Sequence, residues 1–403
     1  MAVALMAGCQ ARLDEEYRRL CQELTGSVDC RGGDGGLPDG GPPDAGIVDG
    51  GRDASIVDPT EADAGVVDAG LDCGPKTTEV HCGFCGRQCE SRDGGPQCSL
   101  GNCLAIPIPF GGGPRALNLP HGLWLVGDRL FVSESDFQTN ENRIVELFDG
   151  GTIERVTGQP AISAVVVRDG ELVWTTWVPG TIRARSLDGG PIRDLFSPDG
   201  GGSFFDLKIQ VGTLYAAQLL PRSALVVISP ENLVVRHEVG GPGATGVAFC
   251  DGEAFLAIQQ GPPAGAVVRI RAPGSPDASI DIIANDLDMA WGIACDTRAV
   301  YVTEFKSTAG RLLRIERSSG GMTTMADTLR GARGIAVDGE DVFVVEYDRV
   351  QARRAYRFRA DGGRDLLASD VEGGIFPRVD ERYLYWVNNR DPGSVVRVTR
   401  PPR

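Results

Sequence analysis

Residues 335 to 344 are Ile-Ala-Val-Asp-Gly-Glu-Asp-Val-Phe-Val, two short apolar runs on either side of an acidic turn that contains glycine. Branched and aromatic residues favour strands, and an Asp-Gly pair tolerates the positive φ angles of a tight hairpin turn. The same pattern of run, turn and run begins at six other places: Leu123, Val165, Leu207, Val247, Ile293 and Pro377. The sequence therefore predicts seven β-hairpins.

The spacing of these hairpins defines a repeat. Equivalent positions in their second strands lie 41 to 45 residues apart, at Leu130, Leu172, Leu214, Phe255, Val300, Val342 and Leu384. That period is the length of one four-stranded propeller blade. We predict an all-β fold in which residues 104–403 form a seven-bladed β-propeller of four-stranded blades.

The closing strand of this ring is missing from the C-terminal end. A third apolar run follows each hairpin, but the chain stops after the seventh, so only six blades have a trailing fourth strand. Natural sheets avoid exposing such an edge. Residues 104–119 form the spare apolar segment next to the first repeat, and Pro107, Pro109 and Pro114 suit an outermost strand, where a missing donor faces solvent. We expect this segment to close the ring.

Two phrases of the repeat carry a family resemblance. Gly-Ile-Ala-Val-Asp-Gly at 334–339 and Val-Phe-Val-Val-Glu at 342–346 resemble NHL-type repeats, and the layout is similar to gluconolactonase-like and regucalcin-like propellers. The resemblance implies the architecture. Such folds host hydrolases, lyases, electron-transfer proteins and binding scaffolds, so activity has to be argued from a site.

The charge of the chain limits its partners. The protein has 55 acidic and 40 basic residues and a formal net charge of −15. A field of that sign repels phosphate backbones, which argues against nucleic-acid binding and favours a neutral or cationic partner.

The N-terminus indicates export. Ala-Leu-Met-Ala-Gly-Cys at residues 4 to 9 resembles a bacterial lipobox, which implies lipidation of Cys9 and a membrane anchor. The apolar run is short and no basic segment precedes it, so we interpret residues 1–9 as the remnant of a longer signal peptide. Because Gln10 replaces the aspartate often linked to inner-membrane retention, we expect an outer-membrane lipoprotein of the cell envelope. The alternative is a chance Ala-Gly-Cys in a cytoplasmic protein.

Two segments connect this anchor to the repeats. Leu13, Tyr17, Leu20 and Leu24 are spaced for one helical face, which predicts a short helix within residues 10–30. Residues 31–72 consist of Asp-Gly, Pro-Asp-Gly and Asp-Ala-Gly units with few large apolar side chains. Burial of so few apolar side chains cannot offset the conformational entropy that the segment would lose on folding. We therefore predict a disordered, acidic linker.

Residues 73–103 form a cysteine-rich module, with cysteines at Cys73, Cys82, Cys85, Cys89, Cys98 and Cys103. The Cys-Gly-Phe-Cys-Gly-Arg-Gln-Cys run resembles modules of predicted myxobacterial surface proteins, whose function is obscure. Six cysteines in an exported chain favour three disulfides. A tetrahedral thiolate metal site, completed by His81, is the competing interpretation.

Two further cysteines, Cys250 and Cys295, fall at an apolar first-strand position of the repeat. We expect them to fill the core as free thiols, because equivalent residues of neighbouring blades lie about 10 Å apart. That is too far for a disulfide unless the two residues sit where the blades converge.

Polar side chains follow the second strands of the repeat. In the consecutive blades five, six, seven and one we expect an arc formed by Glu304, Glu346, Asn388 and Glu134. Oxygen ligands of this kind suit Ca²⁺ or an organic cation. The alternative is that strand ends are polar because they meet solvent.

A second candidate set precedes the glycines of the first strands. His121, Thr245, Trp291 and Arg333 stand at these places. Of them His121, Trp291 and Arg333, together with Trp177, are candidates to line the opening of a binding site for a sugar or peptide, with blade packing as the alternative. Lactonase-like propellers hold a divalent metal at these places, but here two carboxylates are lacking. The sequence also has no Gly-x-Ser-x-Gly motif or phosphate loop.

The function expected from these observations is a lipid-anchored, exported propeller that acts as a binding or scaffolding module for a protein, peptide or carbohydrate. The alternative is a hydrolase or lyase of the lactonase-like kind that uses a divalent cation held by the arc of Glu134, Glu304, Glu346 and Asn388.

Overall fold

The structure is a computed structural model, and it describes residues 98–99, 102–103, 106–107, 117–136, 141–148, 151–199, 201–240, 243–259, 265–306, 309–347, 353–390 and 392–401. The chain divides into two units, residues 1–67 and 68–403, and all described residues lie in the second. The predictions for Cys9, for the segments 10–30 and 31–72, and for the cysteine side chains of 73–103 lie outside the described residues.

Every described element is a strand. β1 (Cys98–Ser99) and β2 (Asn102–Cys103) form a small hairpin, and β3 (Ile106–Pro107) follows. The remaining strands fall into seven groups. The first four blades are β4 (Pro120–Val126), β5 (Arg129–Glu134), β6 (Asn142–Phe148), β7 (Gly151–Gln159); β8 (Ile162–Arg168), β9 (Glu171–Thr176), β10 (Ile182–Ser186), β11 (Arg193–Phe196); β12 (Ser203–Gln210), β13 (Thr213–Leu220), β14 (Ala224–Ile228), β15 (Val234–Glu238); and β16 (Ala244–Cys250), β17 (Glu253–Ile258), β18 (Gly265–Arg271), β19 (Ser279–Leu287).

The last three blades continue the pattern. Their strands are β20 (Ala290–Cys295), β21 (Ala299–Glu304), β22 (Gly310–Glu316), β23 (Met322–Leu329); β24 (Ala332–Asp338), β25 (Asp341–Glu346), β26 (Arg353–Phe358), β27 (Arg364–Val371); and β28 (Gly374–Val379), β29 (Tyr383–Asn388), β30 (Ser394–Thr399). Within a blade, consecutive strands pair antiparallel in chain order. The first strands of neighbouring blades lie against each other around a complete circle. The prediction of a propeller with seven four-stranded blades is confirmed.

The seventh blade is completed by a strand from the other end of the chain. β3 pairs antiparallel with β30, with Ile106 opposite Arg397 and Pro107 opposite Val396. Leu117 adds a bridge to Gly393, whose amide donates to the Leu117 carbonyl oxygen over 2.8 Å. The Leu117 side chain is buried between blades one and seven. Ring closure therefore depends on residues that precede the first repeat.

The hydrophobic core lies between neighbouring sheets. Trp174 is fully buried between blades one and two, and Trp386 is fully buried between blades six and seven. Because strand side chains alternate, each blade presents one apolar set to the preceding blade and another to the following blade. The described residues contain no helix long and apolar enough to span a bilayer.

First strands approach one another so closely that glycine is required at their contacts. A Cβ atom on Gly292 would lie 3.0 Å from the Arg333 carbonyl oxygen of the next blade, and one on Gly334 would lie 2.2 Å from Pro377 Cδ. Glycine has no side chain and permits this approach. The glycines of the repeat thus set the width of the central channel.

Each first strand also has a β-bulge near its start. The pairing register shifts between Ala290 and Ile293 in blade five and between Ala332 and Gly334 in blade six, and similar shifts occur in the other five blades. A bulge adds a residue that has no ladder partner and turns its side chain away from the regular alternation. We call the residues at these positions the bulge ring: His121, Ser163, Phe205, Thr245, Trp291, Arg333 and Phe376.

The expectation that Cys250 and Cys295 are free thiols is wrong. The two residues form a disulfide between the first strands of blades four and five, with a Cα–Cα distance of 6.2 Å. Both lie at the ends of these strands, where the blades converge on the channel. The distance falls within the usual range for disulfides, about 4.4 to 6.8 Å.

A register difference of one residue explains the error. Leu125 pairs with Leu130 and Cys295 pairs with Val300, but Cys250 pairs with Glu253. In blade four the position equivalent to Val300 is therefore Ala254, and Cys250 is one residue further along its strand than Cys295. A shift of one residue moves a side chain to the other face of a sheet. Cys250 consequently points toward blade five, where Cys295 faces it.

The disulfide predicts a specific pattern of alkylation. When the protein is unfolded without reductant, Cys250 and Cys295 should remain unmodified in peptide mass spectrometry, and prior reduction should make both reactive. Because the bond spans 45 residues, replacing both cysteines with alanine should lower the free energy of unfolding by about 2 to 4 kcal/mol. Alkylation of both cysteines in the unreduced, unfolded protein would contradict the pairing.

Candidate functional site

The bulge ring surrounds one opening of the central channel, at the end where the first strands begin. Polar contacts link neighbouring bulges. His121 Nδ1 donates to the Ser163 carbonyl oxygen over 2.6 Å, and Thr245 Oγ1 donates to the Trp291 carbonyl oxygen over 3.2 Å. The bulges thus support each other across blade boundaries, which holds their side chains in place.

The ring side chains form a continuous aromatic layer. Phe205 is buried near its middle, with its ring centroid 5.2 Å from Trp291, 5.8 Å from His121 and 6.1 Å from Phe376. Trp177, which follows the second strand of blade two, lies 5.0 Å from Phe205. Most of these pairs meet edge to face, the arrangement that the quadrupoles of aromatic rings prefer.

Arg333 is the cation of this layer. Its guanidinium carbon lies 4.6 Å from the ring centroid of Trp291, 4.5 Å from Phe305 and 4.2 Å from Tyr347. Phe305 and Tyr347 directly follow the second strands of blades five and six. An arginine within about 6 Å of an aromatic face is attracted to it, more strongly where water is excluded. The rings therefore hold a positive charge at a fixed place beside the channel opening.

The four candidates for lining the opening consequently share one layer. His121 contacts Trp177 over 5.8 Å, Arg333 stacks on Trp291, and Phe205 connects the two pairs. Trp177, Trp291 and Arg333 are half-buried, whereas His121 is buried. The layer thus closes the channel centrally and remains accessible at its rim.

Sequence reasoning missed Ser163, Phe205 and Phe376. The prediction selected residues that stand directly before a first-strand glycine, and no glycine follows these three residues. The repeat spacing was the available signal, since successive members of the bulge ring lie 40 to 46 residues apart.

A small cavity lies in the channel below the aromatic layer. Its volume is about 20 Å³, and Asp206, Lys208 and Arg378 are among its lining residues. Asp206 is buried and accepts hydrogen bonds from Lys208 Nζ at 3.1 Å, from the Leu207 amide at 2.9 Å and from the Val247 amide at 3.2 Å. Arg333 of the aromatic layer also lines this cavity, which we call the chamber. The chamber is therefore lined by three cations and by one carboxylate that already accepts from three donors.

Burial changes the protonation of Lys208. Its pKa is lowered from 10.5 to about 8, mainly because the ammonium is removed from bulk water. The positive charge of Arg378 contributes to this lowering, and Asp206 opposes it. The accessible fraction of the side chain is 23%, and the residue lines the small cavity. Lysines respond in this way when the charged form loses solvation.

The carboxylates of the expected acidic arc make hydrogen bonds within their own blades. Glu134, Glu304 and Glu346 are buried, and each accepts a hydrogen bond from a backbone amide 16 residues earlier in the chain, at 2.9, 2.9 and 2.8 Å. The shared geometry shows that these carboxylates secure the segment before each first strand to the end of the second strand. Burial raises the pKa of Glu346, against the lowering effect of its backbone hydrogen bonds.

Third-strand residues engage the same positions. Arg143 Nε donates to Glu134 over 3.0 Å, and Arg311 donates twice to Glu304, both over 2.5 Å. Asn388 accepts a hydrogen bond from Trp386 Nε1 over 3.0 Å. Within the described residues, no group of three or more His, Cys, Asp or Glu side chains is placed to hold a metal ion. The geometry thus gives the arc a structural role inside separate blades.

Comparisons with solved structures agree with this architecture. The WD40 β-propeller domain of Doa1 is 10% identical and superposes with a TM-score of 0.56, covering 75% of this chain and 98% of that one. The extracellular domain of BT4673 from B. thetaiotaomicron is 12% identical with a TM-score of 0.53; the match covers 74% of this chain and 40% of that one. At such identities the similarity shows the fold alone. No family model and no curated protein matches the chain.

Replacement of an arc carboxylate should destabilise the protein. Glu304→Ala leaves the partly exposed Arg311 without its partner and the Asp288 amide without its acceptor. We therefore expect the free energy of unfolding to fall by about 1 to 3 kcal/mol. Chemical denaturation measures this, with exposed Glu381→Ala as the control. A wild-type melting temperature that falls on addition of a chelator, together with a stable Glu304→Ala variant, would contradict the structural role.

Lys208 should influence the stability of the protein at alkaline pH. Between about pH 8 and 10.5 an unfolded chain retains the lysine proton while the folded protein has lost it. The unfolded state then binds more protons, so this group makes stability rise with pH in that window. Lys208→Met should remove this rise, which is on the order of 3 kcal/mol.

Urea denaturation of the wild type and Lys208→Met at pH 7.5 and 10 measures the effect. Lys306→Met, which removes a more exposed lysine, is the matched control. Parallel profiles of the wild type and Lys208→Met would show that the folded environment does not lower this pKa.

Proposed function

We propose that this protein is an exported, lipid-anchored binding module and that its ligand contacts the face surrounded by the bulge ring. The propeller fold supports a binding or scaffolding role in general terms. The aromatic layer with Arg333 at its rim is the observation that carries the proposal. Tryptophan, tyrosine and arginine side chains fixed in this way are the residues that most often dominate binding energy.

The chemistry of the layer defines the ligand. Half-buried Trp177, Trp291 and Tyr347 offer apolar ring faces and edges in a fixed arrangement, at little cost in conformational entropy. A sugar ring or an extended peptide with apolar side chains matches such a surface. The guanidinium of Arg333 lies beside these rings, where it can donate to a ligand oxygen.

Export is proposed from two separate features. The lipobox-like residues 4 to 9 support lipidation of Cys9, which precedes the propeller in the sequence. The disulfide between Cys250 and Cys295 fits an oxidising compartment, since such bonds are rare in the bacterial cytosol. Both features support a location in the cell envelope, with the membrane reached through the lipid.

The enzymatic alternative is not favoured. A divalent-cation-dependent hydrolase or lyase would require free oxygen ligands, whereas Glu134, Glu304 and Glu346 accept hydrogen bonds from backbone amides of their own blades. The bulge ring itself contributes no carboxylate.

The ligand-binding face can be tested with glycan and peptide arrays, followed by titration of tryptophan fluorescence with the best ligand found. Trp291→Ala and Trp177→Ala should each weaken binding by about 2 kcal/mol. Tyr383→Ala, at the opposite end of its blade, is the control and should bind as the wild type does. Absence of ligands on both arrays, or unchanged affinity in both tryptophan variants, would contradict the proposal.

The anchor has its own test. In a bacterial host, the chain expressed behind a lipoprotein signal peptide that ends at Cys9 should fractionate with membranes, and Cys9→Ser should release it into the soluble fraction. Mass spectrometry of the N-terminal peptide should show the added acyl chains. Equal membrane recovery of both forms, without added mass at Cys9, would contradict lipidation.

A further inference from the structure

The chamber below the aromatic layer has more positive than negative charge. Of the described residues that line it, Asp206 is the one carboxylate, whereas Lys208, Arg333 and Arg378 are cations. Arg333 faces the aromatic rings, so the charge balance inside the chamber depends on Asp206, Lys208 and Arg378.

Arg378 is half-buried and makes few polar contacts. Its guanidinium stacks over Trp124 at 5.3 Å, one terminal nitrogen donates to the Pro377 carbonyl oxygen over 3.1 Å, and Nε is buried without an acceptor. Among the described residues, no carboxylate lies within ion-pair distance of it. A guanidinium nitrogen that is shielded from water and has no acceptor is costly unless an anion or water satisfies it.

Asp206 cannot balance both cations. Its carboxylate already accepts from the Lys208 ammonium and from two backbone amides. Lys208 and Arg378 line the same small cavity, so both positive charges face one space. Lys208, Arg378 and Asp206 together carry a net charge of plus one. The aromatic layer separates them from bulk solvent on one side of the chamber.

We propose that the chamber binds a monatomic anion, a halide, between the Lys208 ammonium and the Arg378 guanidinium. The volume of about 20 Å³ selects this class. It accommodates one water-sized particle, and a halide ion is close to that size, whereas a carboxylate or phosphate group has several heavy atoms. The anion neutralises the excess charge and accepts from donors on blades three and seven, which links opposite sides of the channel. The chamber shares lining residues such as Phe205 and Trp291 with the aromatic layer. The anion is held by Lys208 and Arg378, so the proposal does not rest on the proposed ligand of the outer face.

A crystal of the full chain soaked in sodium bromide provides the direct test. The anomalous signal of bromide should show a peak within hydrogen-bond distance of Lys208 Nζ and the Arg378 guanidinium. No bromide peak in the chamber, or a peak at surface arginines alone, would overturn the proposal.

Thermal unfolding in solution gives an independent measurement. At constant ionic strength, sodium chloride and sodium bromide should raise the melting temperature in a saturable way relative to sodium gluconate, whose anion is too large for the chamber. The anion-specific increase should shrink above about pH 8, where Lys208 loses its proton and Asp206 then faces Arg378 alone. Equal melting temperatures in chloride and gluconate would contradict the site.

Two variants localise the effect. Arg378→Met should weaken the apparent affinity for bromide roughly tenfold or more, and the exposed Arg382→Met should leave it unchanged. If Arg378→Met does not fold, Lys208→Met gives the same comparison, and the wild-type bromide peak remains decisive. An equal response of the Arg378 and Arg382 variants would assign the halide effect to the protein surface.

Discussion

The pairing of β3 with β30 is the interaction on which the rest of the propeller depends. It joins residues 106 and 107 to 396 and 397, nearly three hundred positions later, and so places both ends of the repeat region in one blade. Leu117 extends the connection into the core between blades one and seven. An open series of seven blades would be free to splay at this boundary. Closure fixes the circle of first strands and therefore the diameter of the channel.

Two local features of the first strands, glycines and β-bulges, then build the aromatic layer on this circle. Glycines such as Gly292 and Gly334 let neighbouring first strands approach within contact of each other's backbone. Bulges then rotate one side chain per blade toward the opening, which is why residues from different blades, such as Phe205 and Trp291, touch. A regular strand would send these side chains between the sheets. The binding face is thus a consequence of how the ring is packed, and the chamber with Lys208 and Arg378 lies directly beneath it.

The repeat was predictable because its signals are local and recur seven times. Hairpins such as 335–344 combine apolar alternation with an Asp-Gly turn, and their spacing determines the number of blades. Placement of His121, Trp291 and Arg333 before first-strand glycines also singled out residues that the structure brings into one layer.

Features that depend on register or on contacts across blades were not predictable in the same way. The offset of one residue at Cys250 is invisible in an alignment of apolar runs, yet it decides which blade the side chain faces. Glu134 and Glu304 form a recurring polar position in the sequence, but their amide and arginine partners appear only once the chain is folded. Arg378 and Lys208 come from blades three and seven, and only the closed ring makes them neighbours.

Hydrogen exchange along the third strands tests closure of the ring most directly. In blade five, β22 has neighbours on both sides, and its outermost partner β23 has one. If β3 closes the ring, the amides of β30 next to it, at Val396 and Arg397, should exchange as slowly as those of β22 and more slowly than those of β23. Exchange of β30 at the rate of the outermost strand β23 would show an open edge and contradict this account.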